Sequence, residues 1–145
     1  MLSAVFDSTI LVSAFLTPGG LSAALLAHAR QGAFTLVLSP AILEETRDTL
    51  LTEKRIRKRY EYTDDAVAYF VVGLRDVSRP VSELPSLQVS RDPEDDYVIA
   101  TALAGGASHL VTRDNDLLTL KTYQTITMMT PEEFIALVRK QSSKP

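Results

Sequence analysis

Three helix starts in this chain pair a hydroxyl or carboxylate residue with an immediately following proline: Ser39-Pro40, Asp92-Pro93 and Thr130-Pro131. The first member of each pair can accept a backbone N–H from the turn ahead. The proline takes the first helical position, where its missing N–H costs nothing. Short strand candidates, residues 34–38 and 125–128, come just before two of these starts. Strand and helix therefore alternate, and that alternation governs what the chain can fold into.

The remaining elements fit the same rhythm. Residues 2–6 form a strand that ends at Asp7, and the turn Pro18-Gly19-Gly20 leads into an Ala/Leu-rich helix at 21–31 that stops at Gly32. The helix opened by Ser39 runs to about Leu51, and another starts at Thr63, with Asp64 and Asp65 in its first turn, and extends to about Val77. Residues 78–90 carry Pro80 and Pro85 and form a loop with room for one short strand. The helix opened by Asp92, with Asp95 placed for a capping box, ends at Gly105-Gly106. A strand at 109–112, a turn or short helix at 114–118, a strand at 125–128 and a helix from Pro131 complete the order. The strands are apolar without alternation, which predicts a sheet covered on both faces. The expected class is α/β, a three-layer α/β/α sandwich with a mostly parallel central sheet. The expected organisation is one domain over 1–140 and a frayed tail at 141–145.

Composition narrows the chemistry. With 145 residues, 46% hydrophobic and 23% charged, the chain is an ordinary globule with a sizeable core. It has no cysteine, which excludes thiolate metal sites, disulfides and thiol nucleophiles, and only two histidines, too few for a histidine-built zinc site. No apolar run approaches the roughly 20 residues of a membrane span, and no signal peptide is apparent before Asp7, so the cytoplasm is the default location. The net charge of −3 argues only superficially against a polyanion partner. Carboxylates gathered on a cation drop out of that balance, and the basic residues are clustered.

In a doubly wound sheet, ligands bind beyond the carboxyl ends of the strands. Asp7 follows the first strand directly, and Asp114 follows the 109–112 strand with one residue between. Asp96 lies in the first turn of the helix opened at Pro93. Glu44 and Glu45 lie in the helix after the second strand; only one can point inward, and periodicity does not choose. Carboxylates converging on one cleft repel unless a cation compensates them, and hard oxygen ligands select Mg²⁺ or Mn²⁺. The plainer reading stands beside this one: an isolated Asp after a strand is often a turn residue or a helix cap.

Four segments stand out: residues 5–14 (Val-Phe-Asp-Ser-Thr-Ile-Leu-Val-Ser-Ala), 38–45 (Leu-Ser-Pro-Ala-Ile-Leu-Glu-Glu), 91–102 (Arg-Asp-Pro-Glu-Asp-Asp-Tyr-Val-Ile-Ala-Thr-Ala) and 110–118 (Leu-Val-Thr-Arg-Asp-Asn-Asp-Leu-Leu). Together they resemble the PIN-domain family, and within it the bacterial toxins of toxin–antitoxin pairs related to the VapC type. They occur in the family's order, and the resemblance extends from Leu2 to about Val138. It implies that Asp7, Glu45, Asp96 and Asp114 are catalytic metal-binding carboxylates and that Asp116 joins them through water. Thr112 takes the place of the family's hydroxyl beside the site. Many members carry asparagine at the position of Thr9; here Ser8 or Thr9 would orient Asp7. The implied activity is Mg²⁺- or Mn²⁺-dependent hydrolysis of RNA phosphodiesters by an endoribonuclease. A protein antitoxin is the implied partner, and a homodimer or higher oligomer is expected. His28 and His109 are expected to be structural.

Lys54, Arg55, Arg57, Lys58 and Arg59 form the one dense basic run, beside Tyr60 and Tyr62. Such a run can track RNA phosphates, or simply form a solvated helical surface. Arg91 and Arg113 flank acidic segments and could offset their charge or clamp a phosphate. The apolar stretch 67–74 would leave a face for a second copy or a partner helix. Other classes fit less well. A receiver domain needs a second acidic residue beside the first-strand Asp and a late lysine, where Thr112-Arg113 stands. A haloacid-dehalogenase-type phosphatase needs an Asp at position 9, which is threonine. No glycine-rich nucleotide fingerprint occurs. The remaining alternative is an inactive PIN fold that binds RNA or protein.

Overall fold

The computed structural model describes residues 2–87 and 93–142. Strands β1 (Ser3–Phe6), β2 (Thr35–Leu38), β3 (Arg79–Pro80), β4 (His109–Val111), β5 (Thr122–Tyr123) and β6 (Ile126–Met129) form one sheet in the order β3-β2-β1-β4-β6-β5. All pairings are parallel except β5 with β6. Ala4, Val5 and Phe6 are consecutive and all fully buried. Successive strand residues point to opposite faces, so both faces of β1 are covered. This is the expected three-layer α/β/α sandwich.

The helices are α1 (Ser8–Leu16), α2 (Leu21–Arg30), α3 (Pro40–Thr52), α4 (Lys54–Arg59), α5 (Asp64–Val77), α6 (Pro93–Ala104), α7 (Asn115–Leu118) and α8 (Pro131–Ser142). Their starts obey the capping chemistry of the sequence. The Ser39 hydroxyl accepts the Ile42 N–H at 3.4 Å, and the Thr63 hydroxyl accepts that of Ala66 at 3.1 Å. At α8 a capping box closes: Thr130 Oγ1 accepts the Glu133 N–H at 3.2 Å, while Glu133 Oε1 accepts the Thr130 N–H at 3.0 Å. The expected Asp92 cap lies outside the described residues, as does Arg91.

Two elements exceed the sequence expectation. α1 begins directly after Asp7, and Ile10, Leu11, Val12 and Ala14 are all buried. A helix apolar on nearly every side has no stripe for periodicity to find. β5 is a two-residue antiparallel edge strand, returned to β6 through Gln124 at φ 52°. The last helix also runs through Gln141 to Ser142, and 143–145 lie outside the described residues.

Phe6, Phe34 and Phe134 anchor the main core, with ring centroids 4.9–6.2 Å apart. A smaller cluster of Val12, Leu50 and Val67 packs with Ile56, Tyr62 and Phe70. This second cluster seats α4 against the ends of α3 and α5. Among the described residues, no single helix is long and apolar enough to cross a membrane.

Candidate functional site

β1 lies between β2 and β4, and the chain moves from one side of β1 to the other, which makes the β1–β4 edge a topological switch point. Phe6 is in register with Val111, so the next residues, Asp7 and Thr112, emerge side by side. Asp7 is only 7% exposed, and Thr112 is fully buried. Both the cap reading and the cleft reading of Asp7 meet here, because it is the N-cap of α1 at the carboxyl end of a central strand.

Its two oxygens are unequally used. Oδ1 accepts the Thr9 hydroxyl at 2.6 Å and the Ile10 N–H at 3.1 Å, while Oδ2 accepts the Thr112 hydroxyl. Of about four lone-pair sites on a carboxylate, these bonds leave one, on Oδ2. The Thr112 oxygen also accepts the Asp114 N–H at 3.0 Å, and Asp114 Oδ1 accepts the Asp116 N–H at 2.8 Å. A continuous chain of hydrogen bonds thus links Thr9, Asp7, Thr112, Asp114 and Asp116. Burial pushes the Asp7 carboxyl above its ordinary value. The bonds from Thr112, Thr9 and Ile10 oppose that rise, and the nearby charge of Asp114 adds to it.

The other expected residues sit on two further helices. Asp96 is 8% exposed in the first turn of α6, which packs against β1, β2 and β4. On α3, Glu44 is exposed and Glu45 half-buried, so burial makes the choice that periodicity left open. Glu45 lines a cleft of about 680 Å³ together with Glu44, Asp48, Glu53 and Tyr97. Ser8 is buried at the start of α1, whereas Thr9 supplies the hydroxyl on Asp7. Asp116 is exposed. Among the described residues, no three His, Asp or Glu side chains stand together as a metal-holding group. The donor chemistry nonetheless fits a hard divalent cation: all-oxygen ligands, one open lone pair on Asp7 Oδ2, and the second oxygen of Asp114.

The basic run divides in two. Arg57 donates to Leu50 O at 3.2 Å and to Asp64 Oδ1 at 2.8 Å, and lies 4.6 Å over the Tyr62 ring. Tyr62 also donates to Leu50 O, at 2.6 Å. These contacts close the last turn of α3, whose carbonyls would otherwise lack partners. Lys54, Arg55, Lys58 and Arg59 remain exposed. Arg113 forms a two-pronged pair with Glu132 at 2.6 and 2.8 Å, which holds the Glu132 carboxyl below its ordinary value. His109 packs 5.7 Å from Phe134, and burial lowers its pKa. Tyr97 is the aromatic cleft residue that residue patterns did not single out. Its signal was an aromatic placed immediately after Asp96 in a helix of small and aliphatic residues.

A family model for the PIN domain matches residues 3–116. Among solved structures, VapBC2 from Rickettsia felis, bound to a DNA fragment from their promoter, is similar with a TM-score of 0.60. That match has 12% identity and covers 89% of this chain and 98% of that one. PAE2754 from Pyrobaculum aerophilum is similar with a TM-score of 0.63 and 16% identity, over 97% of this chain and 91% of that one. A comparison with curated proteins gives no match. The two structures share the fold, and the family model spans most of the sequence, including β1, β4 and the acidic residues at their ends. The chain belongs to the PIN domain family.

Proposed function

We propose that this protein is a Mg²⁺- or Mn²⁺-dependent endoribonuclease that hydrolyses RNA phosphodiesters, the toxin of a toxin–antitoxin pair acting on cytoplasmic RNA. The observation that carries the reading is the buried Asp7, hydrogen-bonded through Thr112 to the Asp114 backbone, with one oxygen still open to a ligand. Family membership and a VapBC2 complex among the structures of the same fold support the activity and a protein antitoxin. Tyr69 and Val72, 84% and 50% exposed on α5, support contact with a second copy.

Asp7, Asp96 and Asp114 would hold the ion, with Glu45 and Asp116 acting directly or through water. A bound ion supplies an activated water and a clamp on non-bridging phosphate oxygens. Thr9 and the Ile10 N–H occupy Asp7 Oδ1, so Oδ2 is the oxygen that could take a ligand. Thr112 fixes Oδ2 and the Asp114 backbone from one point. Lys54, Arg55, Lys58 and Arg59 would track the RNA phosphates. In the net reaction the hydroxyl of a water bonds to phosphorus, the bond from phosphorus to the leaving sugar oxygen breaks, and that oxygen takes up the water's other proton.

The test is cleavage of RNA in Mn²⁺. Loss of cleavage both in EDTA and in Asp7→Asn is the expected result. RNA binding without cleavage by the wild type would instead identify an inactive fold serving as a binding module.

A further inference from the structure

We infer that Tyr97 is the platform on which one base of a single-stranded RNA stacks, in the cleft beside Glu45. The inference rests on the ribonuclease reading above and assigns a substrate-positioning side chain to it. Tyr97 is 53% exposed, whereas Val98, Ile99, Ala100, Thr101 and Ala102 after it are 4% exposed or less. A large aromatic ring standing in solvent beside a run of five buried residues contributes little to the core. It stands next in sequence to Asp96 and faces the cleft that Glu45 lines.

The rest of the cleft decides which part of the RNA enters. Its volume of about 680 Å³ falls within the roughly 300–1,000 Å³ of small-ligand sites. The α3 side presents Glu44, Glu45, Asp48, Thr52 and Glu53, and among the described residues no Lys or Arg lines it. Carboxylates repel a phosphate at close range but accept hydrogen bonds from the amino and imino groups of a neutral base. A base therefore enters and the backbone stays outside. Stacking on an aromatic face tolerates any base and weighs most where the base is already unpaired. Cations begin where the cleft ends: Glu53 is followed immediately by the exposed Lys54 and Arg55 of α4. The phosphates would follow that rim.

The experiment uses the wild-type chain and Tyr97→Phe, Tyr97→Leu and Tyr97→Ala, with RNA oligonucleotides carrying 2-aminopurine at successive positions. Stopped-flow fluorescence in Mn²⁺ reports stacking before cleavage, and single-turnover cleavage against RNA concentration separates binding from chemistry. In the wild type and Tyr97→Phe, fluorescence at one position should fall ahead of cleavage. Tyr97→Leu and Tyr97→Ala should lose that phase and need about tenfold more RNA for half-saturation. Their rate at saturating RNA should stay within about threefold of wild type. Unchanged quenching and half-saturation in both Leu and Ala variants would overturn the assignment while leaving the ribonuclease reading intact. Loss in Tyr97→Phe as large as in Tyr97→Ala would also overturn it, because the hydroxyl rather than the ring would then be the contact. A wild type that cuts no RNA would remove both readings together.

Discussion

Asp7 Oδ2 accepts the hydroxyl proton of Thr112, and the same Thr112 oxygen accepts the backbone N–H of Asp114. Thr112 is fully buried, so water cannot take over either bond. Thr112→Val keeps the shape and leaves a carboxylate oxygen and an amide without partners. Such losses cost about 1–3 kcal/mol, so the urea midpoint should fall with little change in slope. Thr112→Ser should stay close to wild type. A valine variant that unfolds at the wild-type midpoint would show that the bond contributes nothing.

Asp7 shapes the pH dependence of the metal-free protein. Its carboxyl is raised by burial, so the folded state binds this proton more tightly than the unfolded chain, whose ordinary value is 3.8. The stability it contributes is fully present below that value and is lost as pH rises through the folded value. Above that folded value the ionised group opposes folding. Asp7→Asn retains a cap acceptor for Ile10 and removes the charge. In EDTA at pH 7 it should melt above wild type, and its lead should shrink on acidification. Mn²⁺ affinity by calorimetry should fall at least tenfold. A variant that melts lower than wild type under these conditions would mark the charge as structurally necessary.

These two residues also show how far the sequence could be read. Asp7 and Asp114 were legible because each follows an apolar strand, and the α/β alternation sends strand ends to one edge. Thr112's double bond was not legible, since it depends on the register of Phe6 with Val111, and pairing register is a tertiary property. α1 escaped because a helix buried on nearly all sides has no amphipathic period. The basic run read as a uniform stretch of charge; only folding brings Leu50 O and Asp64 to Arg57 and separates it from its neighbours. Glu45 could not be told from Glu44 until packing exposed one and half-buried the other.

Gly105 sits where α6 ends against β2. A Cβ there would lie 2.5 Å from Val37 Cγ1 and 3.2 Å from Thr101 O. Val37 is itself fully buried, so there is little room to yield. Gly105→Ala should destabilise by about 1–3 kcal/mol, measured by urea unfolding. Wild-type stability would mean that the β2–α6 contact is looser than these distances require.

His109 supplies a second pH effect, of opposite sign. The Ser108 hydroxyl lies 2.9 Å from Ser3 O and 2.7 Å from His109 Nδ1, so the ring is tied to the β1–β4 edge. Burial lowers the His109 pKa, so the unfolded chain takes up the proton first. Stability from this group is full above the ordinary value of 6.5 and declines as pH falls below it, until the folded value is passed. His109→Gln should flatten the stability profile between pH 7 and about 5. An unchanged profile would assign that acid sensitivity to other groups.

The last prediction separates the two roles inside the basic run. Arg57 is held by Leu50 O, Asp64 and the Tyr62 ring, whereas Lys54, Arg55, Lys58 and Arg59 are exposed. Arg57→Gln should therefore lower stability, by about 1 kcal/mol because its Asp64 partner is largely exposed and the pair is solvent-screened. Its effect on RNA binding should be slight. Replacing the four exposed cations with Gln should do the reverse: the melting temperature stays near wild type while RNA binding weakens uniformly across sequences. For a single strand the log–log salt slope should fall by roughly 0.7 for each phosphate contact removed, and so by up to about three. Cleavage at saturating RNA should persist, because none of the four touches the acidic residues. An unchanged salt slope in the fourfold variant would make α4 a solvated brace for α3 and α5, and the RNA path would have to cross another face.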